Sequence, residues 1–161
     1  MLKSSIMGHE FINYRKHTGK TTLSKFSNSV RFKGVGNVPI IVDSVDLELS
    51  KVLATKDEMF SRYIKYGLEI IIHMDLTVAD LIKQIKIELI KRDYEYGYLS
   101  IGLEDGSIPD VNTDIGSIYK KYQNKDDKIL YVLLTQERTI YGYIMSILKY
   151  ISNNIRAYFV K

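Results

Sequence analysis

The chain has 161 residues, 45% hydrophobic and 26% charged, and carries a formal net charge of +4. That is one domain's worth of soluble, globular composition, long enough to bury most of its apolar surface. The absence of cysteine excludes a disulfide framework, a thiolate nucleophile and a cysteine metal site. The mild basic excess permits attraction to anionic membranes or acidic peptides, but no dense Lys/Arg stripe interleaved with aromatics points to nucleic acid.

Residues 1–37 are polar and weakly periodic, with a poor helix expected around Glu10–His17 and irregular chain after it. The opening MLKSSIMGHEF lacks the apolar core of a signal peptide, so no secretory leader is expected. Nor does any later stretch approach the roughly 18 uninterrupted apolar residues of a membrane-spanning helix. Val38-Pro39-Ile40-Ile41-Val42 reads as a short strand with proline at its start, where a strand tolerates one. Thr55-Lys56-Asp57-Glu58 has capping-box spacing. Met59, Phe60, Tyr63 and Ile64 follow at helical intervals, and Gly67 is placed to stop a helix there.

Leu68–His73 is short and rich in β-branched residues, which predicts a buried strand. Thr77 then caps the best helix in the chain, with Asp80 in its first turn. Val78, Leu81, Ile82, Ile85 and Leu89 give that helix, Val78–Ile90, its apolar stripe. Tyr98–Leu103 predicts a third strand, closed by Glu104-Asp105-Gly106. Asp114–Tyr122 predicts a second helix capped by Thr113, and Ile129–Thr135 a fourth strand. The order of elements is that of an α+β domain, a mixed sheet packed on one principal helix.

After the last strand comes Thr139-Ile140-Tyr141-Gly142. A glycine there is ordinarily a turn residue. It is also what carboxyl-terminal conjugation needs, because a residue without Cβ lets a catalytic cysteine reach its carbonyl through a narrow channel. Beyond it, Ile144, Ile147, Leu148, Ile151, Ile155, Tyr158 and Phe159 recur at helical spacing, with Ser146, Lys149, Asn153 and Arg156 elsewhere. That tail reads as an interfacial membrane helix, a helix packed on the body, or a propeptide removed to expose Gly142.

Two other features carry no chemistry. His17-Thr18-Gly19-Lys20-Thr21-Thr22 imitates the end of a phosphate-binding loop, but Tyr14 stands where the first glycine is required and no apolar strand leads in. His9, His17 and His73 lack ligand spacing, so a zinc site is not expected. Asp126-Asp127 reads as a solvated turn, and no nucleophile-elbow serine is present, so the chain is not expected to be an enzyme.

Four blocks resemble the GABARAP-like ubiquitin-like modifiers of autophagy. Val38–Val42 is similar to the family's first core strand, and Asp75-Leu76-Thr77-Val78 to the start of its central helix. Ser107-Ile108-Pro109 through Ile115-Gly116-Ser117-Ile118-Tyr119 is similar to the loop and helix after its third strand. Leu130-Tyr131-Val132, ending in Tyr141-Gly142, resembles its last strand and conjugated terminus. The resemblance implies a ubiquitin-like β-grasp fold at 38–142, a four-stranded mixed sheet on a central helix. A divergent segment (1–37) precedes it and an amphipathic helical extension (143–161) follows.

It also implies a non-enzymatic protein without metal or organic cofactor, cleaved after Gly142 by an autophagy cysteine protease. Activating and conjugating enzymes would then join it to phosphatidylethanolamine. It would be cytoplasmic, and autophagosomal once conjugated. By position, Pro39, Ile71 and Ile129 would line a pocket for the aromatic residue of an aromatic-x-x-aliphatic peptide. Ile70, Ile72, Leu76 and Leu81 would receive the aliphatic one. Where the family has basic residues to meet acidic peptides, this chain has Gly67, Glu69 and Glu88. The family's N-terminal helical pair and the aromatic-Pro-Asp-Arg lead-in are not recognisable, Gly34-Val35-Gly36-Asn37 standing there instead. About a dozen residues are inserted within 46–67.

Overall fold

The computed structural model describes residue 26, residues 34–56, 64–65 and 67–137, and the helical positions 144, 147, 148, 151, 152 and 155. Four strands form one sheet in the order β4-β1-β6-β5. They are β1 (Asn37–Ser44), β4 (Leu68–His73), β5 (Tyr98–Gly102) and β6 (Leu130–Glu137). β1 runs antiparallel to β4 with Pro39 opposite Ile71, and parallel to β6 from Ile40 opposite Leu130 onward. Pro39 thus sits one residue ahead of the β6 ladder, where its missing N–H costs least. β5 closes the other side of β6 antiparallel. This is the mixed β-grasp sheet expected from the sequence.

The helices α1 (Leu47–Leu53), α2 (Val78–Lys91) and α3 (Ile115–Tyr122) contribute to one core. In it, Val38, Ile40 and Val42 of β1 meet Leu49 and Leu53 of α1, Leu81, Ile85 and Leu89 of α2, and Ile115 of α3. Alternation on β4 puts Leu68, Ile70 and Ile72 into this core and Glu69 and Ile71 on the other face. That outer face holds a second cluster of Ile41, Ile129, Tyr131 and Leu133, with Ile71 packed against it and Phe26 covering it. Phe26 is helical and buried. Irregular chain was expected there. The N-terminal segment therefore supplies a helical residue to the outer face, although its composition is polar. The helix expected around Glu10–His17 lies outside the described residues.

α2 begins as expected. The Thr77 hydroxyl accepts from the Asp80 N–H, and the Asp80 carboxylate accepts in return from the Thr77 N–H at 2.9 Å, a complete capping box. α3 is capped by Asp114 rather than Thr113. The Asp114 carboxylate accepts from the Ser117 N–H at 2.7 Å, while the Thr113 carbonyl is taken by the Val78 N–H at 3.0 Å.

The 46–67 insertion differs most from expectation. Asp46 caps α1, its side chain accepting from the N–H groups of Glu48 and Leu49. Thr55–Lys56 and Ile64–Lys65 then pair as a two-stranded ribbon, β2 and β3. Thr55 is thus no helix cap and Ile64 no helical residue; positions 57–63 lie outside the described residues. A four-residue capping signal is weak, and strand pairing that satisfies the same backbone groups overrides it. Gly67 does take a left-handed backbone, φ 87°, but as the turn into β4.

Candidate functional site

β4 is an edge strand of the main sheet among the described residues. Its backbone edge is the kind of surface to which an extended peptide adds as a further strand. Beside it lies a groove of about 470 Å³, formed between β4 and α2. Leu68, Ile70 and Ile71 line it from the strand, and Gln84 and Ile87 from the helix. Ile87 is 45% exposed although it lies on the helix that carries the core. Its position follows from the helical repeat, since Ile85 and Leu89 face inward and Ile87, two residues from each, falls on the other side of the helix.

The groove is edged by Glu69, Glu88 and Arg92. Arg92 is already committed: its guanidinium donates to the carbonyl of Val52, and to that of Ala54 at 3.4 Å. These are the last carbonyls of α1, so the arginine closes that helix's C-terminus against the end of α2. Glu88 accepts from Lys91 at 2.7 Å, an exposed pair one helical turn apart. With Lys91 beside Glu88 and Arg92 still charged, the rim holds two carboxylates and two cations and no net charge.

The expected site residues fall in four places, Ile71 in two of them. Ile70 and Ile71 both line the groove. Pro39, Ile71 and Ile129 share the outer face, but Pro39 is buried and Ile129 is 0% exposed in the cluster that Phe26 covers, so of the three only Ile71 is open to a ligand. Ile72 and Leu81 sit in the main core, 2% and 0% exposed. Leu76 lies in the turn before α2, and its carbonyl accepts from the Ile115 N–H at 2.8 Å. That bond ties it to the start of α3 rather than to the groove. Sequence reasoning missed Leu68, Gln84, Ile87 and Arg92. Ile87 was findable, as an isoleucine off the apolar stripe of a helix that needs no more core.

The opposite ends of β1 and β4 are held by Gly36, whose carbonyl accepts from the Met74 N–H at 2.8 Å. Gly36 has φ 88°, and a Cβ on it would come within 2.7 Å of the His73 ring. His73 is in turn fixed by Asp75, whose N–H donates to Nδ1 at 3.2 Å. These contacts pin the β1–β4 register at this end, Asn37 opposite His73. Gly142 lies outside the described residues. Among the described residues, no three His, Asp or Glu side chains converge as a metal ion would require.

No protein-family model and no curated protein matches the chain. Among solved structures, the crystal structure of Trypanosoma brucei ATG8 is similar, with a TM-score of 0.53 at 19% sequence identity. The match covers 77% of this chain and 93% of that one. The likeness establishes a ubiquitin-like fold, the four-stranded mixed sheet with its helices.

Proposed function

We propose that this chain is a ubiquitin-like modifier of autophagy, processed after Gly142 and joined through it to phosphatidylethanolamine. The observation that carries the reading is the edge strand β4 with its groove, in a ubiquitin-like sheet whose last strand ends at Glu137, shortly before Gly142. The chain itself performs no catalysis. A cysteine protease would remove 143–161, an activating enzyme would use ATP to activate the Gly142 carboxyl group, and a conjugating enzyme would pass it to the lipid amine. On the autophagic membrane, the protein would gather partners carrying an aromatic-x-x-aliphatic segment. That segment adds to β4, with its aromatic anchor beside Ile71 and its aliphatic anchor against Ile70 and Ile87.

Mass spectrometry of the mature C-terminus, in cells that make the protein, tests this. The expected species ends at Gly142 with an added lipid, and Gly142→Ala stays intact to Lys161. A Cβ at the reacting residue displaces the carbonyl from its catalytic position, and such misplacements cost large rate factors. Wild-type chain intact to Lys161 would replace this reading with an unconjugated adaptor acting through its tail. That second reading is favoured by one observation, the exposed helical Ile144, Ile147, Leu148, Ile151 and Ile155 beyond β6.

A further inference from the structure

The net charge of this protein is not spread over it. Of the 23 basic and 19 acidic side chains, Arg138, Lys149, Arg156 and Lys161 follow β6, and no Asp or Glu follows Glu137. Residues 1–137 therefore carry 19 of each sign, and the whole formal excess of +4 belongs to 138–161. The same stretch holds the largest run of exposed aliphatic residues described in the chain. Ile144, Ile147, Leu148, Ile151 and Ile155 are helical and 41% to 53% exposed. On a helical repeat these five fall within an arc of about 100°, and Lys149 and Arg156 fall outside it.

We propose that the segment after β6 binds the surface of anionic lipid bilayers as a basic amphipathic helix, lying in the interface and not crossing it. The proposal rests on the tail being present, and so concerns the unprocessed chain of the modifier reading or the intact chain of its alternative. Charge complementarity selects the occupant. A second copy of the chain would bring a second +4 tail against the first, and residues 1–137, with no net charge, offer no long-range attraction. An anionic bilayer attracts the basic residues and then accepts the aliphatic stripe. Tyr143, Tyr150, Tyr158 and Phe159 suit the depth at which amphipathic rings settle. Lys149, Asn153, Asn154 and Arg156 interrupt any spanning run, and no described helix is long and apolar enough to cross a membrane.

The test uses purified full-length protein without conjugation enzymes. It is sedimented with phosphatidylcholine vesicles and with vesicles containing phosphatidylserine as well. Binding is expected on the mixed vesicles, weak on phosphatidylcholine alone, and reversed by high salt. Lys149→Gln with Arg156→Gln is expected to weaken it roughly 30-fold, the effect of two basic residues at a charged bilayer. Ile147→Asp with Ile151→Asp is expected to abolish binding while circular dichroism reports an unchanged body, since both residues are exposed. Gly142→Ala, which removes the conjugation site, is expected to bind vesicles as the wild type does, so the two readings fail separately. Equal binding to neutral vesicles, insensitivity to salt and to the glutamine substitutions, or no vesicle binding would each overturn the proposal. Self-association lost with Ile147→Asp and Ile151→Asp, in a protein that ignores vesicles, would give the face to a second copy instead.

Discussion

Asp43 and Asp80 show how differently one side-chain type behaves in this fold. Burial raises the Asp43 carboxyl above its usual range, against the Ser44 N–H and Ser50 hydroxyl that both donate to it. The Thr77 N–H and hydroxyl hold Asp80 below that range, and Ser117 does the same for Asp114. The signs are opposite. A depressed carboxyl adds stability above the ordinary carboxylate pKa, which is lost as pH falls through the folded value; a raised one subtracts stability near neutrality and recovers it as pH falls. Asp43→Asn keeps the oxygen that accepts from Ser44 and Ser50 and removes the half-buried charge. It is expected to be more stable than the wild type at neutral pH, with the advantage gone below about pH 4. Denaturant titrations across pH check this; an advantage that persists into acid would show that burial of the charge is not the cause.

At the scale of elements, α2 has two working sides. Leu81 is fully buried, and Leu81→Ala is expected to destabilise by about 2–5 kcal/mol, as large-to-small core changes do. Ile87 is half-exposed on the groove, so Ile87→Asp is expected to leave the midpoint of unfolding nearly unchanged while removing peptide binding, because a docked anchor would bury an unpaired charge. Ile72→Asp would not make this distinction, since Ile72 is a core residue whose loss unfolds the site with the domain. The Glu69 and Glu88 carboxylates add a local preference: peptides with Lys or Arg beside the aromatic anchor should bind more tightly than those with Asp or Glu. Glu69→Lys with Glu88→Lys should reverse the order by about 0.2–1 kcal/mol per charge. Calorimetric titration with the two peptide types, and chemical-shift mapping to β4, decides both points; shifts confined to β5 would move the docking edge to the other side of the sheet.

The same elements show what the sequence made legible. β4 and α2 were readable because each carries its own period and its own stop: β-branched alternation after Gly67, and a 3.6-residue stripe after the Thr77 cap. α1 was missed although Asp46, Leu49 and Leu53 mark it, because seven residues with two buried positions carry too little periodicity to stand out. The groove was half-legible. Strand residues could be assigned to it by position, but a groove is made by two elements, and which helix residues face the strand depends on how α2 lies across the sheet. Ile72 and Leu81 look like groove residues from spacing alone; only packing shows that the core claims them.

For the whole molecule, the question is whether 143–161 belongs to the folded body. Among the described residues the core clusters form without it: Phe26 covers the outer face, the helices cover the inner one, and none of the described residues beyond β6 joins either cluster. Ile144, Ile147, Leu148, Ile151 and Ile155 keep about half their surface in water, so their removal takes little burial from the fold. A chain ending at Gly142 is therefore expected to unfold within about 2–4 °C of the full-length protein, the shift of roughly 1 kcal/mol in a domain of this size. It is also expected to be the more soluble of the two, since the exposed aliphatic stripe goes with the tail. On the modifier reading proposed above, cleavage would act as a switch of attachment and not of folding, exchanging the proposed reversible hold on charged lipid for a covalent one while β4 and its groove stay as they are. Scanning calorimetry of the two forms checks this. A fall of 10 °C or more on truncation (about 2.5 kcal/mol or above) would mean that the tail packs on the body, and a tail packed there is not free to lie on a membrane.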